Sequence, residues 1–192
     1  LDRVFGELGN IDFLVHSIAF ADKDWLKEGK FAATPRKVYN EALDISAYTL
    51  MAMANRAAPL MKNGGSIISM SYLGAVKAVP GYNVMGVAKS ALESATRYLA
   101  MELGEQNIRV NSVNPGPIYS EIWSDGAPDE YCKYTVPLGR VGEADEAAAP
   151  FQFLASNEAS YVTGTQIAVD GGLCAGKSVR LDELVMARIS EN

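Results

Sequence analysis

Ser66-Ile67-Ile68-Ser69-Met70-Ser71, with the sequence that follows it, decides the fold. The run comes after the turn residues Asn63-Gly64-Gly65 and reads as a short buried strand. A loop through Pro80 follows. Val84, Val87, Ala88, Ala91, Leu92, Ala95 and Leu99 then repeat at helical spacing, and Gly104 ends the helix. Glu93 and Arg97 stand four apart, which predicts an ion pair on the helix's outer face. Ile108-Arg109-Val110-Asn111-Ser112-Val113 is the next strand, stopped by Asn114-Pro115-Gly116-Pro117. Strand, helix and strand in this order form a unit of parallel sheet.

The pattern extends both ways. Upstream, Ile11-Asp12-Phe13-Leu14-Val15-His16 reads as a strand and Ser17-Ile18-Ala19-Phe20-Ala21 as the loop after it. Thr34 is the expected cap and Pro35 the expected first residue of an Ala- and Met-rich helix running to about Met61. Val4, Phe5 and Leu8 suggest the last turns of an earlier helix closed by Gly9. Downstream, residues 118–139 are polar, aromatic and expected to be irregular. Residues 143–154 predict a helix, Thr165-Gln166-Ile167-Ala168-Val169 a strand, and residues 181–189 a short terminal helix. The predicted fold is α/β, a doubly wound, Rossmann-like parallel sheet in one domain over residues 1–192. Such sheets bind ligands at the carboxyl ends of their strands. That rim would gather Ser17 to Ala21, Tyr72 and the Gly116-Pro117-Ile118 turn.

Composition narrows the function. The chain has 192 residues, 48% of them apolar and 21% charged, as expected for a globular domain with a core. A net charge of −6 argues against a general nucleic-acid binder. No apolar run is long enough to span a membrane. Cys132 and Cys174 lack metal-ligand spacing and read as free thiols of a reducing, cytoplasmic compartment. A lone histidine, His16, builds no histidine metal site and reads as packed or cofactor-lining. No metal is expected.

The chemistry is concentrated in Gly81-Tyr82-Asn83-Val84-Met85-Gly86-Val87-Ala88-Lys89. Seven residues is about two helical turns, so Tyr82 and Lys89 point to one side. An ammonium beside a phenol stabilises the phenolate or holds the phenol while it donates a proton. Either polarises a carbonyl oxygen. An exposed helix face carrying both residues is the alternative, and context decides.

Four stretches supply that context: Val15-His16-Ser17-Ile18-Ala19-Phe20-Ala21, Ser71-Tyr72-Leu73-Gly74-Ala75, Tyr82 to Lys89, and Arg109-Val110-Asn111 through Gly116-Pro117-Ile118. With the ending Val169-Asp170-Gly171-Gly172, they resemble the short-chain dehydrogenase/reductase superfamily, most closely its enoyl-acyl-carrier-protein reductase branch. Two spacings select the branch. No tyrosine has a lysine four residues later, as the carbonyl reducers do, and Tyr72 stands ten before Tyr82, where enoyl reductases keep a second aromatic residue. Ser69, thirteen before Tyr82, matches the carbonyl reducers' catalytic serine or is a plain strand hydroxyl.

The resemblance implies NADH, or NADPH in its place, reducing trans-2-enoyl thioesters of acyl carrier protein or coenzyme A in fatty acid synthesis. Tyr82 and Lys89 would be catalytic, with Tyr72 catalytic or lining the acyl pocket. Ser17, Ile18, Ala19, Lys89, Gly116, Pro117, Ile118 and Ser120 would bind cofactor. Ala21 and Tyr72 would face substrate. A homotetramer is the implied assembly. The family's phosphate-cradling glycine turn is absent, so the resemblance reads the chain as N-terminally truncated, the C-terminal two-thirds of one such domain, with an apolar sheet edge at residues 11–16 and weak dinucleotide binding on its own. The acidic run after Ile118, which holds Glu121, Asp125, Asp129, Glu130 and also Trp123, departs from the family's basic lid. A carbonyl or alcohol oxidoreductase using Ser69, and a non-catalytic fragment, stay open as alternatives.

Overall fold

The computed structural model describes residues 6–7, 9–120, 129–176, 180, 182 and 186. The expected helix end at Val4, Phe5 and Leu8, residues 121–128 of the acidic run, and most of the expected helix at 181–189 lie outside the described residues. Four strands, β1 (Phe13–His16), β2 (Gly65–Met70), β3 (Ile108–Pro115) and β4 (Gln166–Val169), form one sheet in the order β1-β2-β3-β4. Every pairing is parallel, so every strand ends on the same rim.

Alternating side chains divide the core between the two faces of the sheet. On one face Leu14, Ile67, Ile108 and Val110 pack against Leu50, Ala54, Ala57 and Leu92. These helical residues belong to α2 (Thr49–Ala57) and α3 (Asn83–Leu103). On the other face Ile68, Val113, Ile167 and Val169 pack against Phe151, Leu154 and Ala155 of α5 (Ala144–Ala155). This is the expected sheet with helices on both faces. Strand β1 ends the described sheet, and its Phe13 and Val15 are 54% and 40% exposed. An apolar edge is thus present where the sequence predicts one.

Several boundaries depart from expectation. The first long helix starts one residue late, as α1 (Arg36–Leu43), with Pro35 as its extended cap. Thr34 does not cap it, because its hydroxyl donates back to Phe31 O at 2.7 Å. A π-helical turn, Asp44–Tyr48, joins α1 to α2. Such widened turns rotate side chains out of the regular helical stripe, and here buried Ser46 both donates to Phe20 O (3.0 Å) and accepts from Phe20 N–H (2.9 Å). Strand β3 runs through Asn114 and Pro115 instead of stopping before them. Pairing continues on both sides of the proline, with Ser71 N donating to Val113 O and Gly116 N donating to Val169 O. Within the stretch expected to be irregular lies α4 (Asp129–Thr135), with acidic residues in its first turn and Cys132 packed against Val136 and Val141.

Candidate active site

Three strand-end loops and the start of α3 build the site. The loop after β1 carries Ser17, Ile18 and Ala19, all exposed, and then Ala21, which packs in a small cluster with Val84, Met85, Ala88 and Tyr82. The loop after β2 carries Tyr72, and the turn after β3 carries Gly116, Pro117 and Ile118. Gly116 has a packing reason to be glycine, since a Cβ there would lie 2.7 Å from the Asp170 backbone. The turn is held by Gly142 N–H donating to Pro117 O and Tyr119 N–H donating to Gly142 O. Ser120 is exposed beyond it. Tyr119 donates its hydroxyl to Asp129.

The two tyrosines meet. The rings of Tyr72 and Tyr82 are 4.8 Å apart between centroids and tilted by 60°, a favourable aromatic geometry. Tyr82 closes the tight turn after Gly81, whose φ is +75°. Asn83 anchors the start of α3 by donating to Trp25 O and Lys27 O at 2.8 Å each. Gly74 packs under the Tyr82 ring so closely that a Cβ there would stand 2.7 Å from its Cε1.

Burial shifts the protonation equilibria of the site. Burial, with Tyr72 adding to it, pushes the Tyr82 phenol well above its ordinary value. Tyr82 is therefore a neutral hydrogen-bond donor, and the phenolate alternative is set aside. Nor does Lys89 hold that phenol. The residue is 5% exposed, and its ammonium donates to Met70 O at 2.6 Å. Burial lowers its pKa to about 8, with Glu93 partly opposing the fall. An ammonium has three hydrogens, and Met70 takes one, so Lys89 suits a ligand with hydroxyl acceptors.

Ser69 is fully buried with its hydroxyl bonded to Thr96 Oγ1 at 3.2 Å, a strand hydroxyl and not the partner of Tyr82. His16 is packed, its Nε2 paired with Thr49 Oγ1 at 2.8 Å, and burial lowers its pKa to about 4, so it is neutral near pH 7. Both cysteines are free. Among the described residues no cluster could hold a metal ion and no helix is long and apolar enough to cross a membrane. The outer-face pairing of Glu93 with Arg97 is wrong. Glu93 is 4% exposed and faces inward, where its Oε1 accepts from Ser71 Oγ and Asn114 Nδ2. Its position four residues after Lys89 was the signal, since both share one helix face.

A family model described as enoyl-(acyl carrier protein) reductase matches residues 1–174. The chain is 46% identical over 175 residues to the NADH-dependent enoyl-[acyl-carrier-protein] reductase FabI of Nostoc sp., covering 89% of this chain and 67% of that protein. It is 41% identical to the NADPH-dependent FabI of Staphylococcus aureus, covering 92% of this chain and 70% of that protein. The crystal structure of an enoyl-(acyl-carrier-protein) reductase from Anaplasma phagocytophilum in complex with NAD superposes with a TM-score of 0.85 at 41% identity, over 93% of this chain and 69% of that one. The chain thus spans about two thirds of the length of the curated relatives it matches.

Proposed function

The chain belongs to the enoyl-(acyl carrier protein) reductase family, and from that premise we propose that its rim reduces trans-2-enoyl thioesters with NADH, NADPH being the alternative donor. One observation carries the assignment: a neutral, buried phenol, Tyr82, in tilted ring contact with a second, Tyr72, at the carboxyl ends of three parallel strands. When bound, the nucleotide supplies a hydride to the substrate's β-carbon. Negative charge then develops on the thioester oxygen, and Tyr82 donates a hydrogen bond to it, the role of an oxyanion donor. Because its pKa is raised, the phenol keeps its proton at neutral pH and remains a donor throughout. A proton taken up from water at the α-carbon completes the saturated acyl chain.

The remaining residues hold and orient. Lys89 directs its remaining hydrogens to ribose hydroxyls and adds positive field. Ser17, Ile18 and Ala19 line the adenosine side, while Gly116, Pro117, Ile118 and the Ser120 hydroxyl line the nicotinamide and pyrophosphate side. Ala21 and Tyr72 face the acyl chain, whose carrier is acyl carrier protein or coenzyme A. The free thiols fit a cytoplasmic setting. A homotetramer is supported by an open groove where Tyr48 of the π-helical turn and Met51 of α2 meet Ala91 and Ala95 of α3. Small residues there permit close helix packing.

The test follows NADH and NADPH oxidation with a crotonyl thioester and with a ketone panel. It uses this chain and, beside it, a longer chain that spans the full length of the curated relatives. Thioester-dependent oxidation that falls about 100- to 1,000-fold in Tyr82→Phe is expected. Ketone turnover without thioester turnover, or full activity in Tyr82→Phe, refutes the assignment.

A further inference from the structure

Glu93 is a buried carboxylate with no part in the steps above. It lies on α3 one turn after Lys89 and is 4% exposed. A charge so placed persists only when paired or hydrogen-bonded. Its Oε1 accepts from Ser71 Oγ at 2.7 Å and from Asn114 Nδ2 at 2.8 Å. The two donors sit on neighbouring strand ends. Ser71 follows β2 and directly precedes Tyr72, and Asn114 stands two residues before Gly116. One oxygen therefore ties the tyrosine loop to the nicotinamide-side turn. Hydrogen bonds to an ionised acceptor are about twice as strong as neutral ones. Meanwhile the charge favours the protonated form of Lys89 against burial.

We propose that Glu93 is a positioning residue of the reductase site, fixing the Tyr72 loop against the Gly116-Pro117-Ile118 turn and supplying the counter-charge to Lys89. It acts through Ser71, Asn114 and Lys89, without touching substrate or nucleotide. The proposal rests on the functional assignment above for the importance of those targets.

Its test needs no nucleotide. The 13Cε resonance of Lys89 is titrated in lysine-labelled protein and assigned by its loss in Lys89→Met. The titratable groups facing Lys89 are Glu93 from its own helix and His16 from β1, the latter already neutral across the range. Glu93→Gln keeps Oε1 as an acceptor and removes the charge. The Lys89 midpoint should fall by about one pH unit, while amide exchange at Ser71 and Gly116 stays native. Glu93→Ala removes both functions, and those amides should exchange about tenfold faster or more. If that variant fails to fold, the double variant Ser71→Ala with Asn114→Ala reports the same loss of protection while leaving the charge. An unmoved Lys89 midpoint in Glu93→Gln, or native protection once the donors or the carboxylate are gone, overturns the proposal. A native protein that binds no nucleotide would count against the functional assignment alone, because both readouts come from the free protein.

Discussion

Replacing Lys89 by methionine should change how stability responds to alkali. Lys89 is 5% exposed and its pKa is lowered from 10.5 to about 8, chiefly by burial. That gap is about 2.5 pH units, and each unit corresponds to about 1.4 kcal/mol, so the charged form costs the fold about 3 kcal/mol. Below pH 8 both folded and unfolded chains carry the proton, and the cost is fully present. Between pH 8 and 10.5 the folded chain has released its proton and the unfolded chain still holds one, so stability rises with pH. Lys89→Met has no such proton. Urea unfolding of both proteins at steps from pH 7.5 to 10.5 should show the native chain gaining about 3 kcal/mol relative to the variant. Tyr72 and Tyr82, both raised by burial, oppose this at high pH, but equally in the two proteins, so they cancel in the difference. Parallel curves would refute the claim that Lys89 is a buried cation held at a cost. A confirmed difference would identify a residue kept for binding rather than for folding.

His16 should give the mirror image in acid. Its folded pKa of about 4 lies below the ordinary 6.5, so between those values the unfolded chain takes a proton that the folded chain refuses. Relative to His16→Gln, which keeps an amide nitrogen toward Thr49, the native chain should lose about 3 kcal/mol from pH 6.5 to 4, measured by urea unfolding. Gly74→Ala should push the Tyr82 ring aside, because the new Cβ would stand 2.7 Å from Cε1. An overpacking cost of about 1–3 kcal/mol by thermal unfolding, with turnover lowered at least tenfold, is expected, and native turnover would show that the ring accommodates a methyl. Ser46→Ala removes the buried hydroxyl that pairs with both the N–H and the C=O of Phe20, a residue 44% exposed. It should cost about 1–3 kcal/mol and accelerate exchange of the Phe20 amide.

What the sequence disclosed was set by local periodicity and by motif spacing. Alternating strand and helix patterns gave the parallel sheet and hence the shared rim. The same pattern placed Tyr72 on the rim beside the helix that carries Tyr82, while the contact of the two rings at 4.8 Å appears only in the structure. What stayed hidden depends on long-range partners. Glu93 and Arg97 have the spacing of a solvent pair, and only the arrival of Ser71 and Asn114, 22 and 21 residues away along the chain, makes an inward carboxylate tenable. The short helix α4 escaped because seven residues give little periodicity, and it is fixed by Cys132 packing against Val136 and Val141. Thr34 has the right chemistry for a cap, yet its hydroxyl is claimed by the preceding turn at Phe31. Nor could spacing decide between phenolate and phenol at Tyr82, since burial settles that question.

The clasp of Ser46 on Phe20 has a thermodynamic consequence for binding. One hydroxyl satisfies both polar groups of a single backbone residue, and it is held by a π-helical turn within a long helix. The segment after β1 is thereby ordered when the chain folds, before any ligand arrives. The entropy lost in arranging a binding loop is normally subtracted from affinity. Here folding has already absorbed it at Phe20, so a ligand of that stretch of the rim would meet a preorganised surface.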